Sequence, residues 1–216
     1  MQPRTRTIGG YEWQSAEQVS KYLNREKEPE READVRGAHQ RMVALLPVAH
    51  DAVFEFMDLG AGAGAVSASV MRAFPNARAI LADMSAPMMQ AGGEQLQPFE
   101  GRYRYVELDM NADIWPAELG GPFQAVVSAR AIHHLTNERK LNVFKHAFDA
   151  LAPGGVFVNW DMYRDLAKEK ADPSNEHNRT AGSMDEQMVL LREAGFQDVT
   201  CRLEERRRAI FFGKKS

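Results

Sequence analysis

The sequence predicts a three-layer α/β fold, and two features of the chain lead to this prediction. Short apolar runs recur along the sequence, and stretches with helical periodicity separate them. Such alternation favours parallel strands joined by right-handed helical crossovers. Near the end, two short apolar runs flank the charged residues 204–208, which predicts a hairpin that adds antiparallel pairing. With 216 residues and 44% apolar content, the chain can form one well-packed domain.

Two helices are expected before the first strand. Ser15 and Gln18 have the spacing of a capping box, which predicts that a helix begins there. Pro29 interrupts the charged stretch 25–36, and beyond it apolar residues recur at helical spacing until Pro47. The residues with this spacing are Val35, Ala38, Met42 and Leu45.

The later elements follow from apolar runs and capping signals. Parallel strands are predicted at 53–58, 77–81, 103–108, 123–127 and 156–160, and the hairpin strands at 199–203 and 209–212. Helices between them are indicated by capping residues at Ser85, at Thr136 or Asn137, and at Ser183 with Glu186. Residues 164–183 are polar and without periodicity, so we expect a loop or lid there.

Acids, glycines and a serine end or directly follow the predicted parallel strands. They are Asp58 with the glycines up to Gly64, then Asp83, Asp109, Ser128 and Asp161. In open α/β sheets, ligands bind outside the carboxyl ends of the strands, where the strand order reverses. These residues are therefore the candidates for a binding site.

The glycine turn after the first strand does not identify its ligand alone. Residues 60–65 also satisfy the GxGxxA pattern of nicotinamide dinucleotide proteins. Asp83 can bind the ribose hydroxyls of NAD or of any other adenosine ligand. Asp58 can accept hydrogen bonds from a ligand ammonium or from the turn, and Asp109 can accept one from an amino-purine. The acids at 58 and 109 favour an adenosine ligand that also carries an amino group.

Several motifs occur together in a fixed order: MDLGAGAG, ILADMS, VELDM, VVSARAIHHL, LAPGGVFV, LREAGF and RAIFFGKK. Over residues 53–213 the chain resembles the class I S-adenosylmethionine-dependent methyltransferases, of the small stand-alone bacterial and archaeal type. The resemblance implies a Rossmann-like, seven-stranded sheet with a reversed last strand. It also implies S-adenosylmethionine as cofactor and S-adenosylhomocysteine as product. Residues 1–50 are then expected to be a helical cap segment, and 51–216 the methyltransferase domain of one compact unit.

The resemblance also assigns residues to each part of the cofactor. The methionine part is expected against Asp58, Gly60, Ala61, Gly62 and Ser128. The ribose is expected on Asp83, and the adenine against Met84, Asp109 and Met110. Tyr22 lies on the N-terminal helix that resembles the segment closing over the cofactor in relatives.

Methyl transfer from a sulfonium is an in-line displacement, so positioning of the reactants contributes most and a base is optional. His133 or His134 is the candidate base, because imidazole titrates near neutral pH. Packing or cofactor lining is the alternative role. Adjacent histidines on a helix or strand point apart, so we expect no metal site that includes Asp161. Arg130 is a candidate contact for an anionic substrate, or it caps the site from outside.

Composition and absent motifs restrict the class of methyl acceptor that we expect. The net charge of -3 and the pI near 6.1 disfavour nucleic acid as a partner. SARA stands after the fourth strand in place of the Asn/Asp-Pro-Pro-aromatic turn, and Cys201 is the single cysteine. We therefore expect methylation of a small molecule at O, N or S. A tRNA or rRNA methyltransferase and, behind it, an NAD(P)-binding oxidoreductase are the alternatives.

The remaining expectations concern location and assembly. No apolar run is long enough to cross a bilayer, and residues 1–10 lack the apolar core of a signal peptide. We expect a cytoplasmic protein without a membrane partner, present as a monomer or homodimer.

Overall fold

Seven strands form one sheet in the computed structural model, which describes residues 12–164, 181–203 and 207–216. The strands are β1 (Phe54–Leu59), β2 (Ala77–Asp83), β3 (Tyr103–Glu107), β4 (Phe123–Ala129), β5 (Leu151–Met162), β6 (Gln197–Leu203) and β7 (Arg208–Lys214). Their order is β3-β2-β1-β4-β5-β7-β6. The first five pair in parallel, and β7 is antiparallel to both β5 and β6. The predicted fold class and the reversed last strand are confirmed.

Six α-helices accompany the sheet in the described part of the chain. They are α1 (Ala16–Glu26), α2 (Pro29–Val43), α3 (Ala65–Ala73), α4 (Ala86–Leu96), α5 (Asn137–Ala150) and α6 (Met184–Glu193). The side chains of Ser15, Ser85, Thr136 and Ser183 each accept a hydrogen bond from a backbone N–H of the first turn. The predicted N-caps are therefore confirmed, including a full capping box at Ser183.

The sheet is buried on both faces, as its parallel pairing requires. One face packs against α2, α3 and α4 and includes Phe56 and Trp160. The other packs against α5 and α6, where Phe157 of β5 and Leu191 of α6 belong to the same core. Neighbouring residues of one strand thus pack against helices on opposite sides of the sheet, because successive side chains of a strand alternate between its faces.

The strand and helix ends lie within one or two residues of most predicted bounds, and the starts of β5 and α2 differ most from the sequence prediction. Strand β5 begins at Leu151 rather than Val156, because Leu151 already pairs with Phe123 before a register shift. Helix α2 begins directly at Pro29, whose missing N–H costs nothing in a first helical turn. The expected loop or lid at 164–183 falls mostly on residues 165–180, which lie outside the described residues, as do 204–206 of the hairpin. None of the described helices is long and apolar enough to span a membrane.

Helix α4 runs without interruption through two adjacent glycines, and their surroundings differ sharply. A Cβ at Gly92 would lie 2.0 Å from the Tyr105 hydroxyl oxygen. That hydroxyl donates a hydrogen bond to the Gly62 carbonyl oxygen at 2.9 Å. At Gly93, an added Cβ would meet no atom within 4 Å. Gly92 thus makes room for a contact that supports the glycine turn after β1.

We expect opposite effects from alanine at these two glycines. Gly92→Ala should lower the free energy of unfolding by about 1–3 kcal/mol, because Tyr105 must move. Gly93→Ala should raise it by about 0.5–1 kcal/mol, through helix propensity alone. Urea denaturation followed by circular dichroism measures both. Equal stability of the two variants would show that the Tyr105 contact is unimportant.

Candidate functional site

A cavity of about 680 Å³ lies at the carboxyl ends of the parallel strands. Its floor is formed by residues that end or follow β1 to β4, and its roof by the segment before α1 and by α1 and α2. The roof residues are Trp13, Tyr22, Leu23, Glu26, Lys27, Glu32, Val35 and His39. Cavities of this size hold small ligands and cofactors.

The glycine turn leaves β1 in a backbone conformation that side chains disfavour. Gly60, Gly62 and Gly64 have φ values of 65°, 54° and 79°. A Cβ at Gly60 would also lie 2.3 Å from the Cβ of Ala131. The N–H groups of Gly60 and Ala61 donate to the Ala82 carbonyl oxygen at 2.8 and 3.2 Å. The turn is thus tied to the end of β2 and lines the cavity with its backbone.

Asp58 is a buried carboxylate with unequal oxygens. Oδ2 accepts hydrogen bonds from the Ser67 hydroxyl at 2.7 Å and the Ser67 N–H at 3.2 Å. Oδ1 has no hydrogen-bond partner among the described residues. Burial raises the pKa of Asp58 to about 7, although the Ser67 bonds oppose the shift. Asp58 borders the cavity, so an ammonium group placed there would satisfy Oδ1 and favour the charged form.

Asp83 connects the glycine turn to the start of α4. Its Oδ2 accepts from the Gly62 N–H at 2.7 Å, and its Oδ1 accepts from the Ser85 N–H at 2.8 Å. Burial raises the pKa of this carboxyl, against the opposing effect of these backbone bonds. Each oxygen retains capacity for a further hydrogen bond, so a pair of ligand hydroxyls can bind. Adjacent to it, Met84 lines the cavity.

The residues after β3 form the next part of the floor. Asp109 and Met110 both line the cavity. Oδ1 of Asp109 accepts from the backbone N–H and the side-chain amide of Asn111, at 2.9 and 3.0 Å. Among the cofactor candidates, Ser128 alone lies outside the cavity lining. Its buried hydroxyl donates to the Leu59 carbonyl oxygen at 2.8 Å and holds β4 against β1.

The two adjacent histidines occupy different environments. His133 is buried, and its Nδ1 lies 2.6 Å from Asp161 Oδ1. The backbone N–H of His133 donates to Asp161 Oδ2 at 2.9 Å. Burial raises the pKa of Asp161, but the His133 charge and hydrogen bonds outweigh it and hold the pKa below its usual range. His134 is half-buried and lines the cavity. The imidazole of His133 is thus bound to Asp161, and the imidazole of His134 borders the cavity.

The expectation that these histidines point apart is wrong. Their ring centroids are 3.9 Å apart, with the planes tilted by 37°. The pair lies in a short 3₁₀ turn, Ile132–His134, just before the extended Leu135, so neither helix nor strand periodicity sets their directions. Within the described residues, no group of three or more His, Cys, Asp or Glu side chains is arranged to hold a metal ion.

Sequence reasoning missed the polar residues of the roof, among them Glu26 and His39. Glu26 and His39 both line the cavity. Burial lowers the pKa of His39 to about 3, so its ring is neutral. Helical spacing could have indicated both, because Glu26 follows Tyr22 by four positions and His39 follows Val35 by four.

Asp58 should make the stability of the protein depend on pH. Its folded-state pKa of about 7 exceeds that of an unfolded aspartate, so the folded protein retains a proton that the unfolded chain releases. The free energy of unfolding should therefore fall as pH rises from about 4 to about 7, by up to about 1.4 kcal/mol per pH unit. Asp58→Asn should not show this fall in the free energy of unfolding when urea titrations are repeated across that pH range. Identical pH slopes would contradict the assignment.

Comparison with known proteins agrees with this architecture. Residues 56–155 match the family model of a methyltransferase domain. No curated protein matches the chain significantly.

Three solved structures share the fold over nearly the whole chain. Human N-acetylserotonin methyltransferase, in complex with S-adenosylmethionine, has 18% identity and a TM-score of 0.69, and the match covers 97% of this chain and 59% of that chain. PigF with S-adenosylhomocysteine has 18% identity and a TM-score of 0.73, with coverage of 97% and 62%. The CurJ carbon methyltransferase has 16% identity and a TM-score of 0.71, with coverage of 93% and 59%.

The chain spans about three fifths of the length of these proteins. At such low identity the likeness establishes the fold, and the match over residues 56–155 is a similarity to a methyltransferase domain. Residues 56–155 therefore resemble a methyltransferase domain, and the chain has the fold of the solved methyltransferases with which it was compared.

Proposed function

We propose that this protein is an S-adenosylmethionine-dependent methyltransferase that acts on a small-molecule acceptor at O, N or S. One observation carries the proposal: the glycine turn, Asp83 and Asp109, which all lie in the residues that match a methyltransferase domain, converge on one cavity. N-acetylserotonin methyltransferase and PigF, which have this fold, were solved with the cofactor and its product, respectively.

The chain offers a partner for each polar part of S-adenosylmethionine. Asp58 Oδ1, without a partner in the described part of the chain, suits the ammonium of the methionine group. Asp83 suits the two ribose hydroxyls through the unused capacity of its oxygens. The thioether side chains of Met84 and Met110 offer soft apolar surfaces for the adenine, beside the carboxylate of Asp109.

When bound, the cofactor supplies an electrophilic methyl group on a sulfonium. The protein's task is then to hold the acceptor in line with that methyl group and to exclude water. Trp13 and Tyr22 pack edge to face in the roof, with ring centroids 4.9 Å apart. We propose residues 1–50 as the cap segment that performs this closure, and 51–216 as the domain that binds the cofactor.

His134 is the proposed general base for an acceptor that must lose a proton. It lines the cavity, whereas His133 is buried and bound to Asp161. We assign His133 a positioning role, in which its ring, tethered by Asp161, supports that of His134. The acid-base contribution of such a group is commonly about 100-fold to 10,000-fold in rate.

A small molecule is the acceptor class that the chain favours. The net charge of -3 offers no general attraction for RNA. The relatives in fold include an N-acetylserotonin methyltransferase and a carbon methyltransferase, so the fold does not determine the acceptor atom. The acceptor atom is best identified by screening compounds with labelled S-adenosylmethionine.

Calorimetry with S-adenosylhomocysteine tests the cofactor assignment. The wild-type protein should bind it, and Asp83→Asn should weaken binding by about 10-fold to 100-fold, as expected for loss of charge-assisted hydrogen bonds. Glu107→Gln is the matched control, because Glu107 lies opposite Asp83 at the end of β3 but outside the cavity lining. Absence of binding to the wild-type protein would refute the proposed function.

Turnover of an acceptor found in the screen tests the histidine assignment. His134→Gln should reduce kcat by about 100-fold or more while S-adenosylhomocysteine affinity stays the same. It should also remove the acidic limb of the pH–rate profile. His146→Gln is the control, since His146 stacks on Trp115 away from the cavity. An unchanged kcat at every pH would assign His134 a packing role only.

A further inference from the structure

Arg130 is held in a fixed position at the side of the cavity. It follows β4, has a φ of 56°, and its N–H donates to the Trp160 carbonyl oxygen at 2.9 Å. A positive φ is uncommon for a residue with a side chain, and such strain clusters at functional sites. The guanidinium carbon lies 5.7 Å from the Tyr22 ring centroid and 5.4 Å from that of Trp160. Two aromatic rings thus restrain the charged group before any ligand arrives.

The hydrogen bonding of this guanidinium is incomplete. Nη1 donates to Glu26 Oε2 at 2.7 Å. Nε is buried and has no hydrogen-bond partner among the described residues. The side chain of Arg130 is 18% exposed, and the residue lines the cavity. Because an enclosed charged donor without a partner is costly, the remaining N–H groups favour an acceptor from the ligand.

We propose that the guanidinium of Arg130 binds a carboxylate in this cavity, through the N–H groups that Glu26 leaves unused. The inference rests on the proposed function and specifies a ligand group for the same site. A planar guanidinium offers paired donors whose spacing matches a carboxylate. Glu26 fixes the guanidinium from one side, and the ligand carboxylate completes its coordination from the other.

This carboxylate has two chemical sources. One is the methionine part of the cofactor, which carries a carboxylate next to its ammonium. The other is an acidic acceptor, since Arg130 lies toward β5, on the opposite side of β1 from Asp83 and Asp109. Both sources present the same group to Arg130, and matched ligands distinguish them.

The first arm of the test compares S-adenosylhomocysteine with its analogue that lacks only the carboxylate, 5′-(3-aminopropylthio)-5′-deoxyadenosine. If Arg130 binds the cofactor carboxylate, Arg130→Gln weakens the binding of S-adenosylhomocysteine by about 10-fold to 100-fold and leaves that of the analogue unchanged. Because Arg130→Gln is measured with two ligands, a general folding defect would weaken the binding of both ligands and would not give this result.

The second arm uses protein saturated with S-adenosylhomocysteine and titrates acetate and benzoate against acetamide and benzamide. If Arg130 binds the acceptor, the wild type prefers the acid over the amide in at least one pair, and Arg130→Gln loses the preference. In that case, Arg130→Gln binds S-adenosylhomocysteine with the same affinity as the wild type.

Two further variants separate ligand binding from a structural role. Glu26→Gln removes the ion pair but leaves Arg130 in place, so it should retain carboxylate discrimination. Equal loss of discrimination in Glu26→Gln and Arg130→Gln would overturn the proposal and leave Arg130 as a link between α1 and β4. Arg25→Gln is the charge control. The guanidinium carbon of Arg25 lies 5.9 Å from the centroid of the same Tyr22 ring, but Arg25 is outside the cavity lining.

The inference and the proposed function fail in different ways. Wild-type protein that does not bind S-adenosylhomocysteine contradicts the function. Protein that binds it, but shows no carboxylate discrimination dependent on Arg130 in either arm, contradicts the inference alone.

Discussion

The hydrogen bond from the Gly62 N–H to the Asp83 carboxylate is the contact on which the rest of the site depends. It joins the turn after β1 to the end of β2, and the bonds to the Ala82 carbonyl oxygen reinforce it. The same carboxylate accepts from Ser85 and so fixes the start of α4. Helix α4 in turn carries Gly92, whose small size admits the Tyr105 hydroxyl that supports the Gly62 carbonyl. One half-buried acid therefore sets the shape of the cavity floor before it contacts any ligand.

The sequence predicted the floor of the site well because the topology of a parallel sheet constrains it. An acid or glycine that ends an apolar run must come to the carboxyl edge of the sheet, whatever the details of packing. Asp58, Gly60, Asp83 and Asp109 all reach the cavity for this reason. The N-caps were predictable too, since capping depends on a few neighbouring residues.

The features that the sequence did not predict depend on contacts between distant segments. Ser128 ends a strand like the acids do, but its hydroxyl bonds to the Leu59 carbonyl oxygen of the neighbouring strand. The approach of the His133 and His134 rings depends on Asp161, which lies 28 residues beyond His133. Glu26 reaches Arg130 across 104 residues. Periodicity describes one element at a time, so it cannot predict which side chains of two elements will meet.

The position of β7 between β5 and β6 has a consequence for how the chain assembles. The ribosome synthesises β5, residues 151–162, well before β7, residues 208–214, that covers its second edge. During that interval, β5 presents an apolar edge with unpaired backbone groups, which invites pairing with other chains. Completion of β7 seals this edge and leaves the sheet bounded by β3 and β6. Conditions that slow the arrival of residues 208–214 should therefore favour aggregation of nascent chains, even where the finished protein is stable.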